Sequence, residues 1–244
     1  MKVIIVGMWN SFPKGPEPTS GYLIQKDGVS ILLDAGSGIA SSVQKYVSIH
    51  DIDHIFLSHY HHDHSGDIQA FMLARKMARQ LRRVDRNLKV YGPENGPLVK
   101  TIRRAKYSTF MPVRAQKNYT VGPFHIDFHR NDHPVETYAI RVTDNEGAVF
   151  VHTSDSSYLS SLMRFAFGAD ILVIDCKLYE GFDGRVDGHM NAEQAGRLAS
   201  KADAQLTILA NLPHHGELEV LLDSARQHPT NTIRLAEAGM KLET

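Results

Sequence analysis

Ser58-His59-Tyr60-His61-His62-Asp63-His64-Ser65 places four imidazoles and one carboxylate within six consecutive positions. The apolar run before it, Ile55-Phe56-Leu57, reads as a buried strand. The residues after it, from Gly66 to about Arg83, repeat with helical period through Ile68, Phe71, Met72, Arg75, Arg79 and Arg82. A His-x-His-x-Asp-His turn between a strand and a helix sits where sheet-based enzymes place their chemistry, at a strand's carboxyl end. Imidazole nitrogen and carboxylate oxygen are ligands that Zn, Mn and Fe accept. The plain alternative is a solvated histidine-rich loop.

Composition sets the frame around that stretch. The 244 residues are 42% hydrophobic and 22% charged, the make-up of an ordinary globular chain. Lys plus Arg equals Asp plus Glu at 27 each, so no global field draws the chain to nucleic acid or membrane. One cysteine, Cys176, excludes an intrachain disulfide and points to a reducing, cytoplasmic setting; within Ile171 to Cys176 it reads as a buried thiol. The run from Met1 to Gly7 is too short for a signal peptide. No apolar stretch approaches the length of a membrane span.

Taken in order, Val3 to Val6 reads as a strand. Gly21 to Gln25 and Ser30 to Leu33 form a hairpin through Lys26-Asp27-Gly28. Ser41 to Val47 is a short helix, Lys89 to Tyr91 a strand and Pro97 to Lys106 a helix. Residues 107 to 120 lack a clean period and read as a loop, and with Phe12 to Pro18 they would face a substrate. Phe124 to Phe128 alternates as a strand. Tyr138 to Val142 and Ala148 to His152 make a second hairpin. Helices are expected over Ser156 to Phe165, Asn191 to Ala199 with Asn191 as N-cap, and Leu218 to Gln227. Strands are expected over Ile171 to Asp175, Leu206 to Leu209 and Thr232 to Leu235. A hairpin followed by alternating strand and helix occurs in each half, which suggests two packed sheets with helices outside in a single domain over 1–244.

Further candidate ligands follow separate strands: His133 in Asn131-Asp132-His133-Pro134, Asp155 in Thr153-Ser154-Asp155-Ser156, His189 in Asp187-Gly188-His189-Met190-Asn191, and His214 with His215. With His59-x-His61-x-Asp63-His64, Gly-Tyr-Leu at 21–23 and Leu-Leu-Asp-Ala-Gly at 32–36, the chain resembles the metallo-β-lactamase superfamily over nearly its whole length. Within it, the chain is most similar to the ribonuclease Z-like and phosphodiesterase-like branch. The resemblance implies an α/β fold, the αββα sandwich of the metallo-β-lactamase type, with two divalent metal ions, Zn first and Mn or Fe as alternatives. It implies that His59, His61 and His133 hold one ion, that Asp63 and His64 hold the other, and that Asp155 bridges them. It gives Asp63, His189 and Asp175 the catalytic roles, with His189 protonating the leaving group or binding phosphate and Asp175 orienting it.

One position departs from the family. The strand Leu206 to Leu209 should be followed by Thr-His, with that histidine completing the second metal site, and here the pair is Ala210-Asn211. His214 or His215 would then substitute, or the second site is weak. The short turn at Asp144 to Gly147 has no counterpart of the long arm with which ribonuclease Z holds transfer RNA. The expected function is a metal-dependent hydrolase of a small-molecule or nucleotide phosphodiester, with RNA within reach. An acyl ester, thioester or lactone hydrolase and a non-catalytic ligand-binding relative are the alternatives. Relatives often form homodimers. Arg75, Arg79, Arg82, Arg83 and Arg86, followed by Arg103, Arg104 and Lys106, read as a solvated basic helix face or an oligonucleotide-binding one.

Overall fold

Short apolar runs broken by Asp-Gly, Gly-Pro and similar punctuation build, among the described residues, two sheets of seven strands each. The computed structural model describes residues 1–181 and 188–244; Asp187, two positions before His189 in the sequence, lies outside them. The chain forms two compact units: Met1–Val113 with Glu237–Glu243, and Arg114–Ala236 with Thr244.

In the first unit β1 (Lys2–Gly7), β2 (Gly21–Lys26) and β3 (Val29–Leu33) are antiparallel neighbours. Asp27 and Gly28 both take positive φ, 51° and 74°, as the two-residue turn requires. After α1 (Ile39–Ser42) come β4 (His54–Phe56), α2 (His62–Ser65), α3 (Ile68–Gln80), β5 (Leu88–Pro93), α4 (Val99–Arg104) and β6 (Ser108–Val113). From β3 to β6 the pairing is parallel, and the C-terminal strand Lys241–Glu243 closes the other edge against β1. The core packs Ile4, Leu23, Leu32, Ile55 and Val90 of the sheet with Ile39, Ile68, Phe71 and Ile102 of the helices.

Two expectations are corrected in this unit. The stretch 107 to 120 is not one loop, because Ser108–Val113 pairs in parallel with β5 and Tyr119–Val121 is a strand of the other sheet. Ser108–Val113 is an edge strand with mostly half-exposed residues, so it shows no alternation; its ladder comes from its neighbour. Arg75 does not belong to the solvated basic face. It is buried, ion-paired with Asp53 at 2.8 Å, and donates to the carbonyls of Ile52 and Arg86. The other cations on and after α3 and α4 remain at the surface, where Arg79 and Lys106 both lie over the Tyr107 ring.

The second unit repeats the plan. β7 (Tyr119–Val121), β8 (Phe124–Arg130), β9 (Tyr138–Asp144) and β10 (Val149–His152) are antiparallel. After α5 (Ser160–Ala166), the strands β11 (Ile171–Asp175), β12 (Leu206–Ala210) and β13 (Thr232–Leu235) pair in parallel from β10 outward. α6 (Ala192–Ala202) starts in a capping box, in which Asn191 accepts from the Gln194 N–H and the Gln194 side chain accepts from the Asn191 N–H. α7 (Leu218–Ala225) precedes the last strand. Asp144 closes the β9–β10 hairpin by accepting from the backbone of Glu146 and Ala148. Among the described residues no helix is long and apolar enough to cross a membrane.

Candidate metal centre

In the first unit the chemistry sits at the carboxyl ends of β3 and β4. Asp34, directly after β3, is fully buried and accepts four hydrogen bonds: from the Ser58 N–H (2.8 Å), the Ser58 hydroxyl (3.0 Å), the Ser20 hydroxyl (3.3 Å) and His64 Nδ1 (2.7 Å). A carboxylate holding one imidazole nitrogen fixes the ring's tautomer and leaves Nε2 as the metal-facing atom. His64 Nε2 lies 3.8 Å from Asp63 Oδ2. The Ser58 hydroxyl gives its proton to Asp34, so it accepts from His59 Nδ1, 3.0 Å away, and His59 Nε2 is left with its lone pair. That lone pair faces His61 Nδ1 at 3.0 Å. Two ring nitrogens this close must share a proton or a cation, and this donor chemistry fits a bound divalent metal.

The turn carrying these side chains is pinned by its backbone. The Asp63 carbonyl accepts from the Ser20 N–H and the His64 carbonyl from the Ala35 N–H. Gly36 packs so closely that a Cβ there would lie 2.0 Å from the Asp63 carbonyl oxygen. Asp63 also accepts from the Ser11 N–H at 2.8 Å, which ties the loop between β1 and β2, and with it the exposed Phe12, to the histidine turn.

In the second unit the candidates come from four separate loops. His133 donates from Nδ1 to the Gly188 carbonyl (2.9 Å), and its Nε2 lies 3.8 Å from Asp155 Oδ2. Gly188 has φ 80°, and a Cβ there would lie 2.3 Å from His133 Nδ1, so only glycine permits this approach. Burial lowers the pKa of His133 more than the Asp155 charge and the Gly188 hydrogen bond raise it, which keeps the ring neutral. Asp155, His189 and Asp175 form one group, with His189 Nδ1 3.0 Å from Asp175 Oδ2 and Nε2 3.9 Å from Asp155 Oδ2. Burial alone would lower the pKa of His189. The Asp175 charge and hydrogen bond, joined by the Asp155 charge, outweigh it and raise the pKa.

Several contributors escaped the sequence reading. Lys177 Nζ lies 3.1 Å from His189 Nε2. Asn131 donates to the carbonyls of Thr153 (2.7 Å) and Asp155 (3.1 Å), fixing the Asp155 backbone. Asp34 stood inside a quoted motif without a role. Asn211 donates through one amide nitrogen to both Asp155 Oδ1 and Asp175 Oδ1, each at 2.9 Å. His214 and His215 do not join the Asp155, Asp175 and His189 group among the described residues; the His215 carbonyl accepts from Tyr179. Cys176 is fully buried and its thiol pKa is pushed up by that burial, so it is an inert core residue.

Such carboxylate-oriented histidines at strand ends are the arrangement of a metal-binding site, and comparison with known proteins gives the family. The profile of the β-lactamase superfamily domain matches residues 29–210. A probable metallo-hydrolase of Bacillus subtilis, YhfI, is 36% identical over 246 residues, covering 100% of both chains. The crystal structure of that metallo-β-lactamase fold protein superposes with a TM-score of 0.93 at 35% identity, covering 100% of this chain and 99% of its own. A ribonuclease Z of Thermoplasma acidophilum is 25% identical over 284 residues, covering 93% of this chain and 91% of its own. The short form of human tRNase Z shares the fold with a TM-score of 0.78 at 17% identity, covering 100% of this chain and 99% of its own. The chain belongs to the metallo-β-lactamase superfamily. It has the αββα fold and is a metallo-hydrolase whose histidine and aspartate clusters can bind metal.

Proposed function

We propose that this metallo-hydrolase cleaves phosphodiesters, in a nucleotide or a short RNA. The observation that carries the reading is the Asp175–His189 pair with Lys177 beside it. A buried carboxylate holds one ring nitrogen at 3.0 Å, and a cation stands 3.1 Å from the other. A leaving alkoxide needs a proton, and a phosphoryl group carries negative charge throughout; a raised-pKa imidazole and an ammonium meet those two needs together. An acyl substrate is neutral in its ground state and gains negative charge only as the tetrahedral oxyanion forms, so it makes a weaker demand on a standing cation. The ribonuclease Z relatives support the same substrate class.

In this reading the family's ligand roles carry over to His59, His61 and His133 for one divalent ion, to Asp63 and His64 for a second, and to Asp155 as the carboxylate shared by both, with zinc the first candidate. Divalent ions bound there supply an activated water and stabilise charge on the phosphoryl oxygens. The protein's own contribution is orientation: Asp34 fixes His64, the Gly188 carbonyl fixes His133, and Asp175 fixes His189. Phe12, 58% exposed on the loop tied to Asp63, offers an apolar face to a base or aromatic ester.

The test is hydrolysis of bis(p-nitrophenyl) phosphate by metal-stripped protein refilled separately with Zn and Mn. Turnover that returns with metal and is absent in His59→Ala is expected. Folded, refilled protein that leaves the phosphodiester intact while hydrolysing p-nitrophenyl acetate, a thioester or a lactone would replace this reading with the acyl one. Turnover of none of these would leave a ligand-binding relative.

A further inference from the structure

Asn211 stands directly after β12, at the position where family resemblance calls for a histidine ligand. It is buried and adopts φ 57°, a left-handed conformation that asparagine tolerates better than most residues. Its side-chain nitrogen reaches two different carboxylates at 2.9 Å, Asp155 Oδ1 and Asp175 Oδ1. Carboxylates only accept here, so both acceptors require the NH2 end of the amide at this point and settle its orientation. An amide nitrogen has no lone pair to give a metal, and both of its protons are committed. This position therefore supplies no nitrogen ligand. It supplies a two-pronged donor.

We propose that Asn211 is a carboxylate clamp: it joins Asp155 and Asp175 through one amide, so that the protein holds one divalent ion tightly and a second one exchangeably. The clamp explains the placement of the surrounding groups. With Oδ1 of each carboxylate occupied by the amide, Oδ2 of Asp175 meets His189 Nδ1, and Oδ2 of Asp155 lies near the Nε2 atoms of His133 and His189. Without Asn211 the Oδ1 atoms of two buried carboxylates would lose the donor they share, leaving Asp175 to be oriented through Oδ2 by His189. Asn211 is thus a positioning residue for both the metal-facing carboxylate and the acid-base pair. The inference rests on the metal assignment above but not on the nature of the substrate.

The experiment reads metal rather than turnover. Protein saturated with zinc and passed over a weak chelating resin is assayed for zinc per chain, and stripped protein is titrated with Co(II) while its visible absorption is followed. Wild type is expected to retain about one ion, with a second Co(II) equivalent binding weakly. Asn211→His, which suits the same left-handed backbone, is expected to retain about two and to bind the second equivalent about 10–100-fold more tightly. Asn211→Leu, which removes the clamp and adds no ligand, is expected to stay at one ion with a lowered melting temperature. Two tightly held ions in wild type would overturn the proposal, as would a folded Asn211→His that still retains one, or an Asn211→Leu that melts like wild type. Phosphodiester turnover, measured separately, leaves these counts unchanged if the substrate class has been misjudged.

Discussion

In the first unit the candidate ligands His59, His61, Asp63 and His64 come from one turn, and a single buried carboxylate, Asp34, collects four hydrogen bonds beneath them. In the second, His133, Asp155, Asp175 with His189, and Asn211 arrive on four separate connections, held pairwise by a glycine carbonyl, an asparagine and a carboxylate. Both sheets follow one plan, an antiparallel part continued by parallel strands, with chemistry at the carboxyl ends of neighbouring parallel strands. The difference shows two ways to make a side chain rigid. A contiguous turn can be fixed from one point. Scattered loops need a separate tie for each.

This contrast ranks the damage that single changes should cause. Asp34→Ala removes the common anchor of the first unit and leaves the Ser58 N–H, the Ser58 and Ser20 hydroxyls and His64 Nδ1 without their acceptor. A loss of about 3 kcal/mol is expected, or roughly 6–12 °C in melting temperature, together with about 10–100-fold weaker metal binding. Asn131→Ala in the second unit cuts two hydrogen bonds, to the carbonyls of Thr153 and Asp155, and leaves the ties of His133 and His189 in place. About 1–2 kcal/mol is expected there. Equal losses in thermal melts of the two variants would remove the distinction between a shared anchor and separate ties.

Gly188→Ala should have a smaller effect on stability and a sharper one on the site. The left-handed backbone costs an alanine about 1 kcal/mol, and its Cβ would press on His133 Nδ1 at 2.3 Å. The expected result is a modest fall in melting temperature with a clear loss of zinc retention. Metal content like that of wild type would show that the Gly188 carbonyl is not what orients His133.

The same contrast decides what could be read from residues alone. The first unit's turn was legible because its spacing is local: His-x-His-x-Asp-His after a short apolar run needs no knowledge of distant partners. The end of β11 was legible for the same reason, since its apolar run Ile171 to Ile174 is closed by the polar Asp175. The ties were not. Nothing in Asp175-Cys176-Lys177 announces that Lys177 meets His189, and nothing in Ala210-Asn211-Leu212 announces that one amide spans two carboxylates. Those contacts depend on loops separated by up to 56 residues coming together. The strand Ser108–Val113 was missed for a related reason: its half-exposed edge position leaves no periodic pattern, and its partner lies in β5.

The smallest expected effect lies away from both clusters, in His54 at the start of β4. Burial, reinforced by Lys89 across the parallel pair, lowers its pKa from 6.5 to about 4, against the pull of Asp53. Its Nδ1 lies 3.0 Å from the Tyr91 hydroxyl, and its ring stacks on Tyr91. A histidine with a depressed folded pKa is protonated first in the unfolded chain. Its contribution is therefore intact above about pH 6.5 and is lost as pH falls through that value towards 4. Acid should thus lower the melting temperature of wild type over this window more than that of His54→Gln, which keeps a polar group beside Tyr91 and cannot titrate. Superimposable pH profiles would mean that acid sensitivity arises elsewhere, with His129, whose pKa burial also lowers, as the second unit's counterpart to substitute next.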